Sequence, residues 1–117
     1  MIEEDYSERR VDVRYKNDLT AEYKLFGEDF DLLSFQYKKA RTKDISKRGV
    51  CLQVDAVIRE GDVMRLDLEI EERKKINTFG EVEWCRKVNE GYIAGISFIS
   101  LSPHDSETLS EYLRMLN

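Results

Sequence analysis

Two short clusters of charged and polar side chains stand out in this chain. The first places Arg10 and Arg14 four residues apart, and the second places Asp44, Ser46 and Gly49 within one short segment. Guanidinium groups present flat forks of donors that match phosphate oxygens or the O6/N7 edge of guanine, and a carboxylate accepts the N–H donors of guanine's other edge. The two clusters together therefore favour a site for an anionic guanine nucleotide.

Each cluster also has a purely structural explanation. Arg10 and Arg14 can belong to a solvated basic arm that balances the acidic residues before them. Asp44 and Ser46 can form a turn that satisfies backbone N–H groups, with Gly49 supplying a positive φ or a close backbone approach. In the binding interpretation the Asp44 carboxylate accepts from guanine N1–H and N2–H, the Ser46 hydroxyl adds a bond, and Gly49 leaves room for the ligand. The residues alone leave both explanations open.

Alternation of apolar and polar residues predicts β-strands for most of the chain. The clearest case is the segment 63–71, in which every second residue is Met, Leu or Ile. Similar signals predict strands over 19–25, 32–42, 50–54, 81–85 and 92–98, with turns at 27–29, 60–62, 76–77 and 89–91. About six antiparallel strands in so small a domain are expected to close into a barrel, since closure removes exposed edges.

The C-terminal segment 102–117 has a different period. It begins with Ser102 and Pro103, a cap residue followed by a proline suited to the first helical position. Apolar residues then recur at helical spacing, namely Leu109, Tyr112, Leu113 and Leu116. An amphipathic helix of about four turns is expected. Its apolar stripe would plug an open end of the barrel or, in part, dock a partner.

Composition limits the classes of function. The chain has 117 residues and 41% hydrophobic content, which suits one globular domain. Its net charge of -5 argues against a general DNA or RNA binder, whereas the crowding of Lys and Arg around Asp44 suits a small polyanion. No apolar run approaches the roughly 20 residues that span a bilayer, and the acidic N-terminus is unlike a signal peptide. The expectation is a cytoplasmic protein without membrane insertion.

Neither a metal site nor an active site is expected. Cys51 and Cys85 lie far apart without C-x-x-C spacing, and His104 is the single histidine. Two reduced thiols are the expected state, with no disulfide and no metal. No nucleophile, acid–base pair or phosphate loop stands at a recognisable spacing, so an enzyme is not expected.

The chain resembles the PilZ domain family. Arg10 to Arg14 matches that family's R-x-x-x-R segment, Asp44 to Gly49 its D-x-S-x-x-G turn, and Gly80 to Trp84 its G-x-V-x-W strand. The segment 91–98 is similar to its late G-I-x-F strand, so the resemblance covers nearly the whole chain. It implies one domain over residues 1–117: a flexible arm (1–16), a mainly β, six-stranded antiparallel barrel (17–100) and a C-terminal helix (102–117).

The resemblance also implies cyclic di-GMP as the ligand and a set of residues that contact it. Arginines of the arm would bind guanine edges and phosphates. In the family, a basic residue directly before the R-x-x-x-R segment accompanies binding of two mutually intercalated nucleotides. Arg9 occupies that position, so two ligands per chain are predicted. Alternation places Trp84 with Val82 in the core, although in some relatives an aromatic here flanks the nucleotide. The full predicted set is Arg9, Arg10, Arg14, Asp44, Ser46, Gly49 and Trp84.

The function that the resemblance implies is a stand-alone bacterial receptor for cyclic di-GMP, with no other cofactor. Ligand binding would order the arm and change the surface seen by an unidentified protein partner, in a monomer or weak homodimer. The alternative is an adaptor of the same fold that binds no nucleotide and works by protein contact. An RNA-binding barrel is disfavoured by the acidic strand at residues 67–72.

Overall fold

The computed structural model describes residues 14–26, 37–71 and 74–116. Residues 1–13 of the predicted arm, with Arg9 and Arg10, lie outside these ranges. The described elements are β1 (Tyr15–Lys16), β2 (Thr20–Leu25), β3 (Lys38–Ile45), β4 (Gly49–Val54), β5 (Val63–Glu71), β6 (Lys74–Val88), β7 (Gly91–Phe98) and α1 (Pro103–Met115).

Six of these strands form a closed antiparallel barrel. Hydrogen-bonded neighbours follow the order β3, β2, β5, β6, β7, β4, and pairing of β4 with β3 completes the ring. The short strand β1 lies outside the ring and pairs with the end of β3, with Tyr15 opposite Ile45 and Lys16 opposite Asp44. The predicted fold, a mainly β six-stranded barrel with a C-terminal helix, is confirmed. The added strand β1 carries the chain from residue 14 directly past Asp44.

One hydrophobic core fills the barrel. Met64, Leu66 and Leu68 of β5 are fully buried, as the alternation in this strand predicts. Leu109 and Leu113 of α1 belong to the same cluster, so the helix packs its apolar stripe against the barrel. α1 is the only helix in the described ranges, and it is neither long nor apolar enough to cross a membrane.

The start of α1 confirms the predicted cap. Ser102 is the N-cap residue, and its hydroxyl accepts a hydrogen bond from the backbone N–H of Asp105 at 3.0 Å. Pro103 occupies the first helical position, where its missing N–H leaves no bond unmade. The cap fixes where the chain leaves β7 and turns onto the barrel.

One predicted turn and one predicted strand end are wrong. Residues 76–77 do not form a turn: they lie inside β6, where Asn77 pairs with Asp67 and Ile76 is fully buried. The turn preference of Asn is overridden because the neighbouring side chain belongs to the core. The strand predicted to end near residue 42 continues to Ile45, because a bulge at Lys43 lets pairing resume beyond it. Residues 32–36 of that predicted strand lie outside the described ranges.

Candidate functional site

A β-bulge on β3 turns Asp44 to the outer surface of the barrel. Pairing between β3 and β4 slips by one residue between Thr42 and Asp44. Ala40 and Thr42 are buried before the slip and Ile45 is buried after it. Strict alternation from Thr42 would point Asp44 inward, but the extra residue reverses the phase. The carboxylate therefore faces outward and Ile45 takes the core position.

A second bulge, on β6, does the same for Trp84. Pairing between β6 and β7 slips between Val82 and Trp84. Val82 is fully buried before the slip, Cys85 packs against the core after it, and Trp84 is 43% exposed. The prediction that Val82 and Trp84 share the core face is therefore wrong. Counting residues in steps of two fails wherever a bulge adds one.

The two bulges bring Asp44 and Trp84 into one line across the outer face. Asp44 pairs with Cys51, Cys51 with Gly95, and Gly95 with Trp84. We call these four residues the Asp44–Trp84 row. With neighbouring strands about 4.8 Å apart, the row spans roughly 14 Å. Because the two central residues have a small side chain or none, the row forms a shallow floor with a carboxylate at one end and an indole at the other.

The indole of Trp84 rests on the backbone of Gly95. A Cβ at Gly95 would collide with the indole atoms Nε1, Cε2 and Cδ1. The absence of a side chain at Gly95 therefore lets the ring lie against the sheet while much of its surface stays exposed. An aromatic surface held in this way can stack on a nucleobase.

We expect Gly95→Ala to displace the indole without unfolding the barrel. The new methyl group would collide with a side chain that can rotate away, and not with backbone, so the midpoint of thermal unfolding should fall by less than about 5 °C. Trp84 is the single tryptophan of the chain, so its emission reports the change directly and should shift to longer wavelength. An unchanged emission spectrum would show that the indole does not depend on Gly95.

The hydroxyl of Ser46 is engaged within its own turn. Its Oγ accepts from the N–H groups of Arg48 and Gly49, each at 3.2 Å, and donates to the carbonyl of Gly49 at 3.4 Å. The residue is fully buried. These contacts are those of the structural explanation, a Ser turn that satisfies local backbone groups. Ser46 thereby fixes the chain immediately after Asp44.

Gly49 is required by the neighbouring strand. Among the described glycines, only Gly61 and Gly91 have a positive φ, so Gly49 does not serve that purpose. A Cβ at Gly49 would instead collide with the carbonyl oxygen of Ile96 on β7. The close approach of β7 therefore accounts for Gly49 by itself, and the expected room for a ligand at Gly49 stays a prediction.

Arg14 lies beside the row and binds Asp44. Its Nη1 donates to Oδ1 of Asp44 at 2.8 Å, and the two side chains are 42% and 28% exposed. β1 produces this contact, because Lys16 pairs with Asp44 and the chain reaches Arg14 two residues earlier. One arginine of the first cluster and the carboxylate of the second thus meet, although thirty residues separate them.

Positive charge surrounds the centre of the row. Burial raises the pKa of the Cys51 thiol and the Asp44 carboxylate raises it further, whereas Arg14, Arg86 and Lys43 lower it. Three cations therefore act on this floor, in a chain whose net charge is -5. The described residues include no group of side chains that could hold a metal ion. The arrangement suits a small anionic ligand with a flat ring.

Arg86 is not among the seven predicted site residues, although its position two residues after Trp84 on the same face makes it a weaker candidate from the sequence. It follows Trp84 by two positions, so the bulge that exposes the indole also turns Arg86 to the outer face, where it pairs across the sheet with Ile93. The two-residue spacing from Trp84 is its one sequence signal. That spacing places Arg86 in a site only once the side of the sheet on which Trp84 lies is known.

The chain belongs to the PilZ domain family, whose model matches residues 8–115. Among solved structures, it is similar to the Bacillus subtilis inhibitor of motility MotI/DgrA, with 17% identity and a TM-score of 0.72, over 92% of this chain and 51% of that one. It is also similar to the PilZ domain of YcgR from Escherichia coli with c-di-GMP, with 15% identity and a TM-score of 0.67, over 92% and 91% of the two chains.

At these identities the two likenesses show a shared fold. The chain spans about half the length of MotI/DgrA. No curated protein matches it.

Proposed function

We propose that this chain is a bacterial cytoplasmic receptor for cyclic di-GMP, without enzymatic activity, that binds its ligand over the Asp44–Trp84 row. The observation that carries the proposal is the contact between Arg14 and Asp44 at one end of a row whose other end is an exposed tryptophan. It joins an anion-binding group, an acceptor for guanine N–H groups and a stacking surface. Membership of the PilZ family and the fold shared with a c-di-GMP-bound PilZ domain support this ligand.

Each residue of the site has a distinct part in the proposal. Asp44 accepts from guanine N1–H and N2–H, Arg14 binds phosphate, and Trp84 stacks on a guanine ring. Ser46 and Gly49 shape the turn and the strand that hold Asp44 in place. Arg9 and Arg10 lie outside the described residues; in the proposal they bind phosphate and stack on guanine, so that two ligand molecules bind per chain.

The ligand takes over both halves of the Arg14–Asp44 pair. An exposed ion pair contributes about 0–1 kcal/mol, so its release costs little. A hydrogen bond to a charged group contributes about 1.5–3 kcal/mol, and the ligand offers one kind to each partner: guanine N–H groups to Asp44 and phosphate oxygens to Arg14. Exchange of one pair for two such contacts is therefore favourable. The pair also keeps Asp44 compensated when no ligand is bound.

A hydrogen-bond network connects the site to α1. Asn17 Nδ2 donates to the Tyr112 hydroxyl at 3.0 Å, and the Thr42 hydroxyl donates to Asn17 Oδ1 at 2.9 Å. Thr42 also accepts from the N–H of Leu19 at 2.7 Å and is nearly fully buried. Asn17 follows Arg14 by three residues and Thr42 precedes Asp44 by two. In the proposal, the change of arm conformation on ligand binding is passed through this network to α1, which changes the surface offered to a protein partner.

We expect Tyr112→Phe to uncouple α1 from the ligand. It removes the hydroxyl that Asn17 contacts and leaves every residue of the row in place, so affinity for cyclic di-GMP should change by less than about threefold. Ligand binding should increase the hydrogen-exchange protection factors of α1 amides in the unmodified chain. In Tyr112→Phe this increase should be about fivefold smaller, the equivalent of one lost hydrogen bond. Hydrogen exchange with and without ligand measures both states.

Thr108→Val is the matched control for this variant. It also removes a hydroxyl from α1, but that hydroxyl bonds within the helix, to the carbonyl of His104 at 3.0 Å. It should leave the ligand effect unchanged. A ligand effect on α1 that is the same in Tyr112→Phe as in the unmodified chain would rule out this route.

A second candidate function is a PilZ-fold adaptor that binds no nucleotide. The observation in its favour is that Arg14 and Asp44 already satisfy each other, while Ser46 is occupied by its own turn. Titration calorimetry separates the two functions. Saturable binding of cyclic di-GMP, approaching two ligands per chain and much tighter than that of GMP, supports the receptor. Absence of binding at ligand concentrations up to the millimolar range supports the adaptor.

A further inference from the structure

We infer that Arg86 is a further ligand-contacting residue, which holds a phosphate of the bound nucleotide on the side of the Asp44–Trp84 row opposite Arg14. The inference rests on the proposed function. It goes beyond the two arginine and aspartate motifs, because Arg86 belongs to neither of them.

The register of the sheet places the two arginines on opposite sides of the row. Tyr15 lies opposite Ile45, so Arg14 approaches the row from the side of Ser46 and Gly49. On the other side, the next outward-facing line runs from Arg86 through Ile93 and Gln53 to Arg41. A ligand that lies over the row is therefore flanked by a guanidinium on each side.

The spacing along β6 is within reach of a shared ligand. Arg86 and Trp84 are two residues apart on the same face, which separates their Cα atoms by about 7 Å. An extended arginine side chain covers a similar distance, so a base stacked on Trp84 brings its attached sugar and phosphate within reach of Arg86. Arg86 is also near enough to the centre of the row to lower the pKa of the Cys51 thiol, against the larger raising effects of burial and Asp44.

Charge pairing distinguishes Arg86 from the other arginine of its line. The guanidinium of Arg41 is held by Asp18, with Nε donating to Oδ1 at 2.7 Å. Arg86 is exposed and forms no ion pair or side-chain hydrogen bond with any residue in the described part of the chain. Its neighbours in the line, Ile93 and Gln53, carry no charge. A guanidinium that has no partner among the described residues and lies near a stacking surface is chemically suited to a phosphate.

Calorimetric titration of the full chain with cyclic di-GMP tests the inference. Arg86→Gln is expected to weaken binding by about 5- to 50-fold and to lower the dependence of affinity on salt concentration, because one charge contact to phosphate is lost. Arg86→Lys is expected to retain most of the affinity, since a phosphate accepts from a point charge as well as from a fork. Trp84 emission of each variant, unchanged without ligand, confirms that the row itself is intact.

Arg65→Gln is the matched control. It makes the same change of charge on β5, a strand that contributes nothing to the row, and should leave affinity within about twofold of the unmodified chain. If Arg86→Gln behaves like Arg65→Gln while the unmodified chain binds, the inference is wrong and the proposed function stands. If Arg86→Lys is as weak as Arg86→Gln, a forked contact to a guanine edge replaces the phosphate contact and the inference is also overturned. If the unmodified chain does not bind, the proposed function itself fails.

Discussion

Replacing Arg14 with alanine is expected to weaken cyclic di-GMP binding by roughly 5- to 150-fold, the equivalent of about 1–3 kcal/mol for one charge-assisted contact. The loss should lie toward the upper end of that range. Arg14 and Asp44 are paired at 2.8 Å, so removing the guanidinium also leaves a carboxylate uncompensated beside an anionic ligand. Calorimetry measures the affinity, and a circular dichroism spectrum confirms that the barrel is folded.

Asp44→Ala provides the comparison, because it should reduce the preference for guanine more than the affinity for the anion. It frees Arg14 for the phosphates, so attraction to the anion is retained while the acceptor for guanine N–H groups is lost. We expect a smaller loss of affinity than in Arg14→Ala, together with a loss of preference for cyclic di-GMP over cyclic di-AMP. The double variant should show non-additive losses, as expected for residues in contact. Unchanged affinity in Arg14→Ala, or a preference for guanine that survives Asp44→Ala, would contradict the assigned roles.

Gly49→Ala is expected to destabilise the barrel by about 3 kcal/mol or more, because its Cβ would collide with backbone that cannot move aside. The colliding atom is the carbonyl oxygen of Ile96, and separating β4 from β7 to admit a methyl group breaks the pairing of Gly49 with Ser97. For a chain of this length the midpoint of thermal unfolding should fall by roughly 10–20 °C. Thermal melts followed by circular dichroism measure the change.

Two other glycines give graded controls for this variant. Gly95→Ala meets a movable indole, and Gly61→Ala meets open space, although the φ of +92° at Gly61 disfavours any side chain. Both variants should lower the midpoint of thermal unfolding clearly less than Gly49→Ala does. A Gly49→Ala protein that melts within a few degrees of the unmodified chain would show that β4 and β7 do not approach as closely as described.

The fold could be predicted from the sequence because burial on one face of a strand imposes a period of two. β5 shows this fully, since its inward-facing residues are the buried ones. The start of α1 could be predicted for a different reason: a Ser–Pro pair before a helical apolar stripe satisfies local backbone geometry by itself. Both signals are local, and neither depends on which strands become neighbours.

Whether the site residues point to the core or to the outer surface could not be predicted in the same way. Asp44 and Trp84 point outward because each follows a bulge, and a bulge depends on pairing with another strand. Nothing in the composition around Lys43 or Glu83 marks an extra residue. The contact between Arg14 and Asp44 likewise requires β1 to pair with β3, so only resemblance to a family could connect the two motifs in advance.

Fluorescence titration of the single tryptophan tests the central claim most directly, because Trp84 lies in the proposed site. Stacking of guanine on the indole should quench its emission saturably as cyclic di-GMP is added, with a midpoint that matches calorimetry and moves to higher concentration in Arg14→Ala. GMP at equal absorbance controls for optical effects. Emission that stays constant while calorimetry shows saturation would place the ligand elsewhere on the protein, and constant emission with no calorimetric binding would contradict the receptor function itself.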